Sequence, residues 1–193
     1  MKTCVRKTHL KIPDDFFSKL RELKIKPMPD VIVVKVATQV LVHYKDSKAL
    51  VAYRVSTAKS GTGQREGSHQ TPLGLHRVAQ KIGDHAEAHA IFRSREDTGE
   101  IWDPHAKENK NQNEDLILTR ILWLEGLEEG FNRGNDKVDQ NIDSHQRYIY
   151  IHGTNHEEDL GKAASHGCIR MGTHAIIELF DAVPEGTLVW ITP

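Results

Sequence analysis

Residues 31–58 read VIVVKVATQVLVHYKDSKALVAYRVSTA. Three runs rich in β-branched residues, VIVVKVA, VLVHY and ALVAYRVS, are separated by short polar turns such as Lys45-Asp46-Ser47-Lys48, and this pattern predicts a meander of antiparallel strands. Working outward toward the N-terminus, Phe16, Phe17, Leu20 and Leu23 recur at helical spacing after Asp14 and Asp15, which predicts a short helix. Pro27 and Pro29 are expected to stop it and lead into the first strand. Residues 1–30 hold eight Lys/Arg against four Asp/Glu. A basic amphipathic helix can touch a membrane surface, but so short an apolar face is expected to cover a core edge, so 1–30 reads as a docking extension. Residues 31–193 then form the main domain, without a visible repeat or linker.

Toward the C-terminus, AKSGTGQREGSHQTPLG at 58–74 is loop-forming in composition. Its Gly61, Gly63 and Gly67 fit neither dinucleotide nor phosphate-cradling spacings, which excludes those nucleotide sites. LHRVAQKI, AIFRS, LILTRILWLEG, RYIYIHG and TLVWI read as further strands, and THAIIELFDAV from Thr173 as a helix ended by Pro184-Glu185-Gly186. Residues 96–115, with seven acidic residues against two lysines, and the acidic stretch 125–143 are expected to be surface excursions, either lids or plain solvated loops.

The chain has 193 residues, 38% of them apolar and 27% charged, with a net charge of −1, as expected of a globular protein with its own core. Near-neutral charge argues against nucleic acid or a membrane surface as partner. Cys4 and Cys168 can form one bridge at most, so no disulfide framework is expected. The opening MKTCVRKTHLKIPDD lacks the apolar run of a secretory leader. With Met1 as the native start the expectation is a cytoplasmic protein; a trimmed start would allow a periplasmic one.

Chemistry concentrates in residues 150–171, YIHGTNHEEDLGKAASHGCIRM. A thiol nucleophile needs a base, deprotonation and donors aimed at the oxyanion it creates. His152, at the end of a strand, is the best-placed partner for Cys168. The small-residue turn Ser165-His166-Gly167-Cys168 can converge backbone N–H groups near the sulfur, and Gly167 leaves the approach open. Arg170 can hold a substrate carboxylate bidentately or brace the loop. Ser165 can bond the thiol or cap the turn. Tyr150, Trp102 and Trp123 are candidates to line a peptide groove, although strand aromatics are commonly core.

HGT at 152–154 followed by SHGCIRM at 165–171 resembles the motif pair of the L,D-transpeptidase catalytic domain, also called the YkuD domain. The paired strands from Val31 and the segment Thr71-Pro72-Leu73-Gly74 extend the likeness over most of 31–192. The resemblance implies a mainly β (α+β), sandwich-like fold of mixed sheets with a packed helix. It also implies a murein stem tetrapeptide as substrate, cut between an L-centred third residue, often diaminopimelate, and terminal D-alanine. Cys168 would form the thioester. His152 would act as base and acid, oriented by the Gly153 carbonyl, with the amides of His166, Gly167 and Cys168 as oxyanion hole. Arg170, Ser165 and Tyr150 are the implied substrate-side residues, and no cofactor or metal is required. Without a visible export signal, hydrolysis by a cytoplasmic L,D-carboxypeptidase of murein recycling is the expectation, and cross-linking by an L,D-transpeptidase the alternative.

Two other classes compete. His145, His152, His156, His166 and His174 could join Cys168 in a zinc site, although no HExxH or CxxC spacing is present. A non-catalytic murein-binding module would use the same fold, yet such decay normally replaces the nucleophile or base, and both are present.

Overall fold

The computed structural model describes residues 11–106 and 114–193; Cys4 and the middle of the acidic 96–115 stretch lie outside them. Helix α1 (Asp14–Glu22) precedes β1 (Asp30–Lys35), β2 (Val40–Lys45) and β3 (Lys48–Ser56), the expected antiparallel meander. After β4 (Gly74–Ile82), β5 (Ala90–Arg93), β6 (Glu96–Ile101) and β7 (Ile117–Gly126) come the short strands β8 (Tyr150–Gly153) and β9 (Ile169–Met171). Helix α2 (Thr173–Ala182) and β10 (Leu188–Thr192) complete the order.

The strands form one mixed sheet in the order β4-β10-β1-β2-β3-β9-β8-β7-β5-β6, and β4 also pairs with β7. That extra pairing joins the ends of the run from β4 to β7, closing a ring and leaving β5 and β6 as a flap beyond β7. The expected sandwich-like fold of mixed sheets takes the form of one sheet folded into a barrel-like sandwich. Strand alternation explains the layering. Ile32 and Val34 enter a core to which every strand of the ring contributes, and α2 adds Ile176, Leu179 and Phe180 to it. Val31 and Val33 face the other way and meet Phe16 and Leu20 of α1, together with Leu188 and Trp190. Both faces of β1 are covered, which is why its run is continuously apolar rather than alternating.

Three details differ from expectation. Helix α1 ends before the prolines: Lys24 adopts φ 56°, and the N–H groups of Lys24 and Ile25 return to the carbonyls of Arg21 and Leu20 at 3.2 and 2.9 Å. This Schellman closure satisfies the terminal carbonyls, and Ile25 packs on the cluster holding Leu20. Residues 96–101, expected within a loop, form β6 against β5. Residues 169–171, between the expected turn at 165–168 and the helix from Thr173, form β9, parallel to β8. The 125–143 segment is pinned to β4, since Glu128 Oε1 accepts the Leu75 N–H at 2.6 Å and Asn132 donates to the carbonyls of Leu73 and Leu75.

Candidate active site

The parallel pair β8–β9 organises the site. His152 is in register with Arg170, and Ile151 with Ile169. Since paired residues share a face and neighbours alternate, Ile151, Ile169 and Met171 point into the ring core while Tyr150, His152, Cys168 and Arg170 share the outer face. The sulfur and imidazole are therefore diagonal neighbours on that face. They are not hydrogen-bonded here: the thiol donates to Tyr148 O and accepts the Tyr150 N–H, each at 3.4 Å. Burial, helped by the Asp115 charge, pushes the thiol up to about 11, against the lowering influence of the Tyr150 N–H, Arg170 and Arg147.

His152 is buried, and its Nδ1 lies 2.8 Å from Gly153 O. A carbonyl only accepts, so Nδ1 carries the proton and Nε2 is left with its lone pair. Burial lowers the imidazole below its ordinary range, which keeps it neutral at pH 7. Gly153 is required by a close approach: a Cβ there would stand 2.6 Å from Leu118 O on β7. The residue that orients the imidazole is thus also the one that lets β8 sit against β7.

The nucleophile turn is stitched from afar. Thr71 Oγ1 donates to Gly167 O at 2.9 Å and accepts the Ala58 N–H at 2.9 Å. Gly167 has φ 136°, a conformation that disfavours any side chain. Ser165 is corrected from a substrate contact to a turn cap. Its hydroxyl donates to Cys168 O at 2.6 Å and accepts the Gly167 N–H at 3.3 Å, and the residue is 2% exposed. That bond also spends the Gly167 amide inside the turn, whereas the sequence reading had it in the oxyanion hole with the amides of His166 and Cys168.

Two residues outside the sequence reading complete the surroundings. Asp115 Oδ2 accepts from His166 Nδ1 at 2.9 Å and pairs with Arg170 Nη2, so one carboxylate holds the residues two before and two after Cys168. Burial opposes its charge, yet the His166 and Arg170 contacts prevail and hold the carboxyl below its ordinary value. Arg170 is 3% exposed and committed to this pair, which makes it a brace rather than an open ligand for substrate. Arg147 donates to the carbonyls of Gly63, Gln64 and Gln70 at 3.3, 2.6 and 2.8 Å, fastening the 58–74 loop beside the thiol. No local motif marks either residue; the acidic run around Asp115 looks like solvated loop.

Tyr150 is buried and forms a cluster with Trp123, Phe92 and Cys168, so it is floor to the site. Trp123 also contacts Tyr148 and stacks on His145 at 3.9 Å, whereas Trp102 belongs to a separate core with Ile91, Leu116 and Leu118. Among the described residues the group with metal-ligand spacing is His156, Glu158 and Asp159, which includes neither Cys168 nor His152. The histidine cluster read as a zinc alternative is not assembled around the sulfur. The arrangement offers a thiol, a neutral imidazole acceptor on the same face and two fixed guanidinium charges, the elements of thiolate chemistry.

A stretch of 48 residues is 56% identical to the putative L,D-transpeptidase YkuD of Bacillus licheniformis, covering 25% of this chain and 29% of that protein. Another of 46 residues is 55% identical to the putative L,D-transpeptidase YqjB of Bacillus subtilis, covering 24% and 26%. These matches thus span well under a third of either relative. Among solved structures, L,D-transpeptidase 3 from Mycobacterium tuberculosis aligns with a TM-score of 0.52 at 13% identity, over 86% of this chain and 61% of that one. The same enzyme in complex with a faropenem-derived adduct gives 0.51 at 15%, over 86% and 60%. At such identity the likeness shows a shared fold. The family model for the L,D-transpeptidase catalytic domain, YkuD, matches residues 29–191, which take in the meander, the ring and the β8–β9 site, and this chain belongs to that family.

Proposed function

We propose that this protein is a cysteine acyltransferase acting on the L,D bond of a murein stem peptide. The observation that carries the reading is the β8–β9 register, which sets Cys168 and a neutral His152 on one face. A turn of the cysteine side chain away from Tyr148 O delivers the thiol proton to His152 Nε2. Arg147 and Arg170 favour the resulting thiolate. The thiolate attacks the carbonyl of the L-centred third residue, the amide C–N bond breaks, and His152 returns the proton to the departing D-alanine nitrogen. A thioester remains. An amine of a second stem attacks it, His152 takes that proton, and the thiol is regenerated with a new amide. Membership of the family and the names of the Bacillus relatives support an amine as acceptor. The cytoplasmic carboxypeptidase expected from the sequence needs the same machinery with water in the amine's place.

Mass spectrometry of a murein tetrapeptide incubated with the protein, with and without a second stem, tests this directly. Cross-linked dimer indicates transpeptidation, and tripeptide alone indicates hydrolysis. Unchanged tetrapeptide, with no mass added to Cys168 by faropenem, would falsify the reading.

A further inference from the structure

The flap formed by β5 and β6 turns at Ser94-Arg95, both in the left-handed region with φ 49° and 72°. Hairpin turns of this shape normally take Asn or Gly. Here the conformation carries an arginine side chain back over the site. The Arg95 guanidinium lies 4.8 Å from the Trp123 ring and 4.9 Å from the Tyr148 ring, and Nη1 donates to the Tyr150 hydroxyl at 3.4 Å. The backbone N–H of the same Tyr150 donates to the Cys168 sulfur. Arg95 thus reaches the thiol's wall through one residue.

The other two guanidinium groups around the sulfur are already engaged and enclosed: Arg147 donates to three carbonyls, and Arg170 pairs through Nη2 with Asp115, its Nε buried without a partner. Among the described residues no carboxylate lies within ion-pair distance of Arg95; neighbouring Glu96 contributes charge without a contact. Of its five N–H donors one is engaged by Tyr150. A cation seated on aromatic rings keeps its edge donors for a planar anion, and a carboxylate is the group that such a fork grips bidentately. Trp123 and Tyr148 also line a cleft of about 380 Å³ with His145, Gln146, Asn141 and Glu66, so a peptide chain has room beside the cation.

We propose that Arg95 is the receptor for a free carboxylate of the donor peptide, lying within about one residue of the scissile carbonyl. The inference rests on Cys168 being the acyl acceptor and names what selects its substrate. On the two residues joined by the scissile bond, a tetrapeptide with diaminopimelate at the third position offers two such carboxylates, the side-chain carboxylate of the third residue and the terminal carboxylate of D-alanine.

Calorimetric titration of Cys168→Ala protein reads the subsite without turnover. The probes are a synthetic tetrapeptide as free acid and the same peptide amidated at one or the other carboxylate. One amidated form is expected to bind about tenfold or more weakly, which identifies the carboxylate. Adding Arg95→Gln should weaken the free acid by the same factor and abolish the acid-to-amide difference, and Arg95→Lys should recover part of it. A ratio unchanged by Arg95→Gln, or no detectable binding of the free acid, overturns the proposal. D-alanine release by wild-type protein is followed in parallel. Equal binding of acid and amide forms by the Cys168→Ala protein that retains Arg95, with wild-type release intact, sinks the subsite alone, whereas discrimination without any release sinks the acyl-transfer reading and leaves the subsite standing.

Discussion

The face of the barrel under α1 and the face bearing β8 and β9 are built on opposite principles. Under α1 the contacts are apolar and close-packed: Phe16 and Leu20 against Val31, Val33, Leu75 and Trp190. Burying each such side chain contributes about 1.5–3 kcal/mol and asks for no directional partner. Around β8 and β9 the buried groups are His152, Arg170, Ser165 and Thr71, each of which loses hydration and recovers it only through a specific bond. The first face holds the molecule together. The second is held in place by it, and its stored cost is what keeps an imidazole neutral and a turn fixed beside a thiol.

Removing the sulfur should give the widest separation between the two regions. Cys168→Ala is expected to cut D-alanine release by a factor on the order of 10³ or more, while the denaturant midpoint barely moves because the side chain is small and partly exposed. Phe16→Ala is the mirror experiment. It should destabilise by about 3–5 kcal/mol in urea unfolding and leave the alkylation rate of Cys168 in the folded state as it was. A parallel loss of reactivity would show that the two faces are coupled.

A pH experiment probes the buried polar strategy away from the thiol. His76 sits between Gly74 O and Ser144 Oγ at 3.0 and 2.9 Å, and burial pushes its imidazole down to about 4. Its folded value is below the unfolded one of about 6.5, so the unfolded chain takes up the proton first as pH falls. The contribution is complete above pH 6.5 and is lost on the way down to pH 4, roughly 3 kcal/mol in all. His76→Gln should flatten that part of the stability curve; an unaltered slope would assign the loss to other groups. The smallest effect belongs to Asp115→Asn. It leaves buried Arg170 without its anion, at a cost of about 2 kcal/mol given the partial exposure of Asp115. It should lower kcat more than KM, with Asp115→Glu restoring part of the loss.

Legibility followed the same divide. The runs at 31–58 announced their strands because β-branched residues recur there between turns, and α1 and α2 announced themselves by period. β6 escaped because EDTGEI is exposed at all six positions and has no buried face to alternate with. β9 escaped because three residues are too few to show a period. In the site, His152 and Cys168 stood out by motif, and the Gly153 carbonyl meets the imidazole as the family resemblance implies. Ser165 and Arg170 were named, but their partners Cys168 O and Asp115 were not, since a side chain's availability depends on what folds against it.

Residue order along the chain was enough to place a mainly β domain with a thiol and an imidazole facing a turn, because alternation, helical spacing and a short motif are local properties. The closing of β4 on β7, the carboxylate of Asp115 between His166 and Arg170, and the three carbonyls around Arg147 join segments dozens of residues apart. Those meetings exist only once the ring has formed, since the entropy of bringing distant segments together is offset by the shared core and not by anything written near either residue.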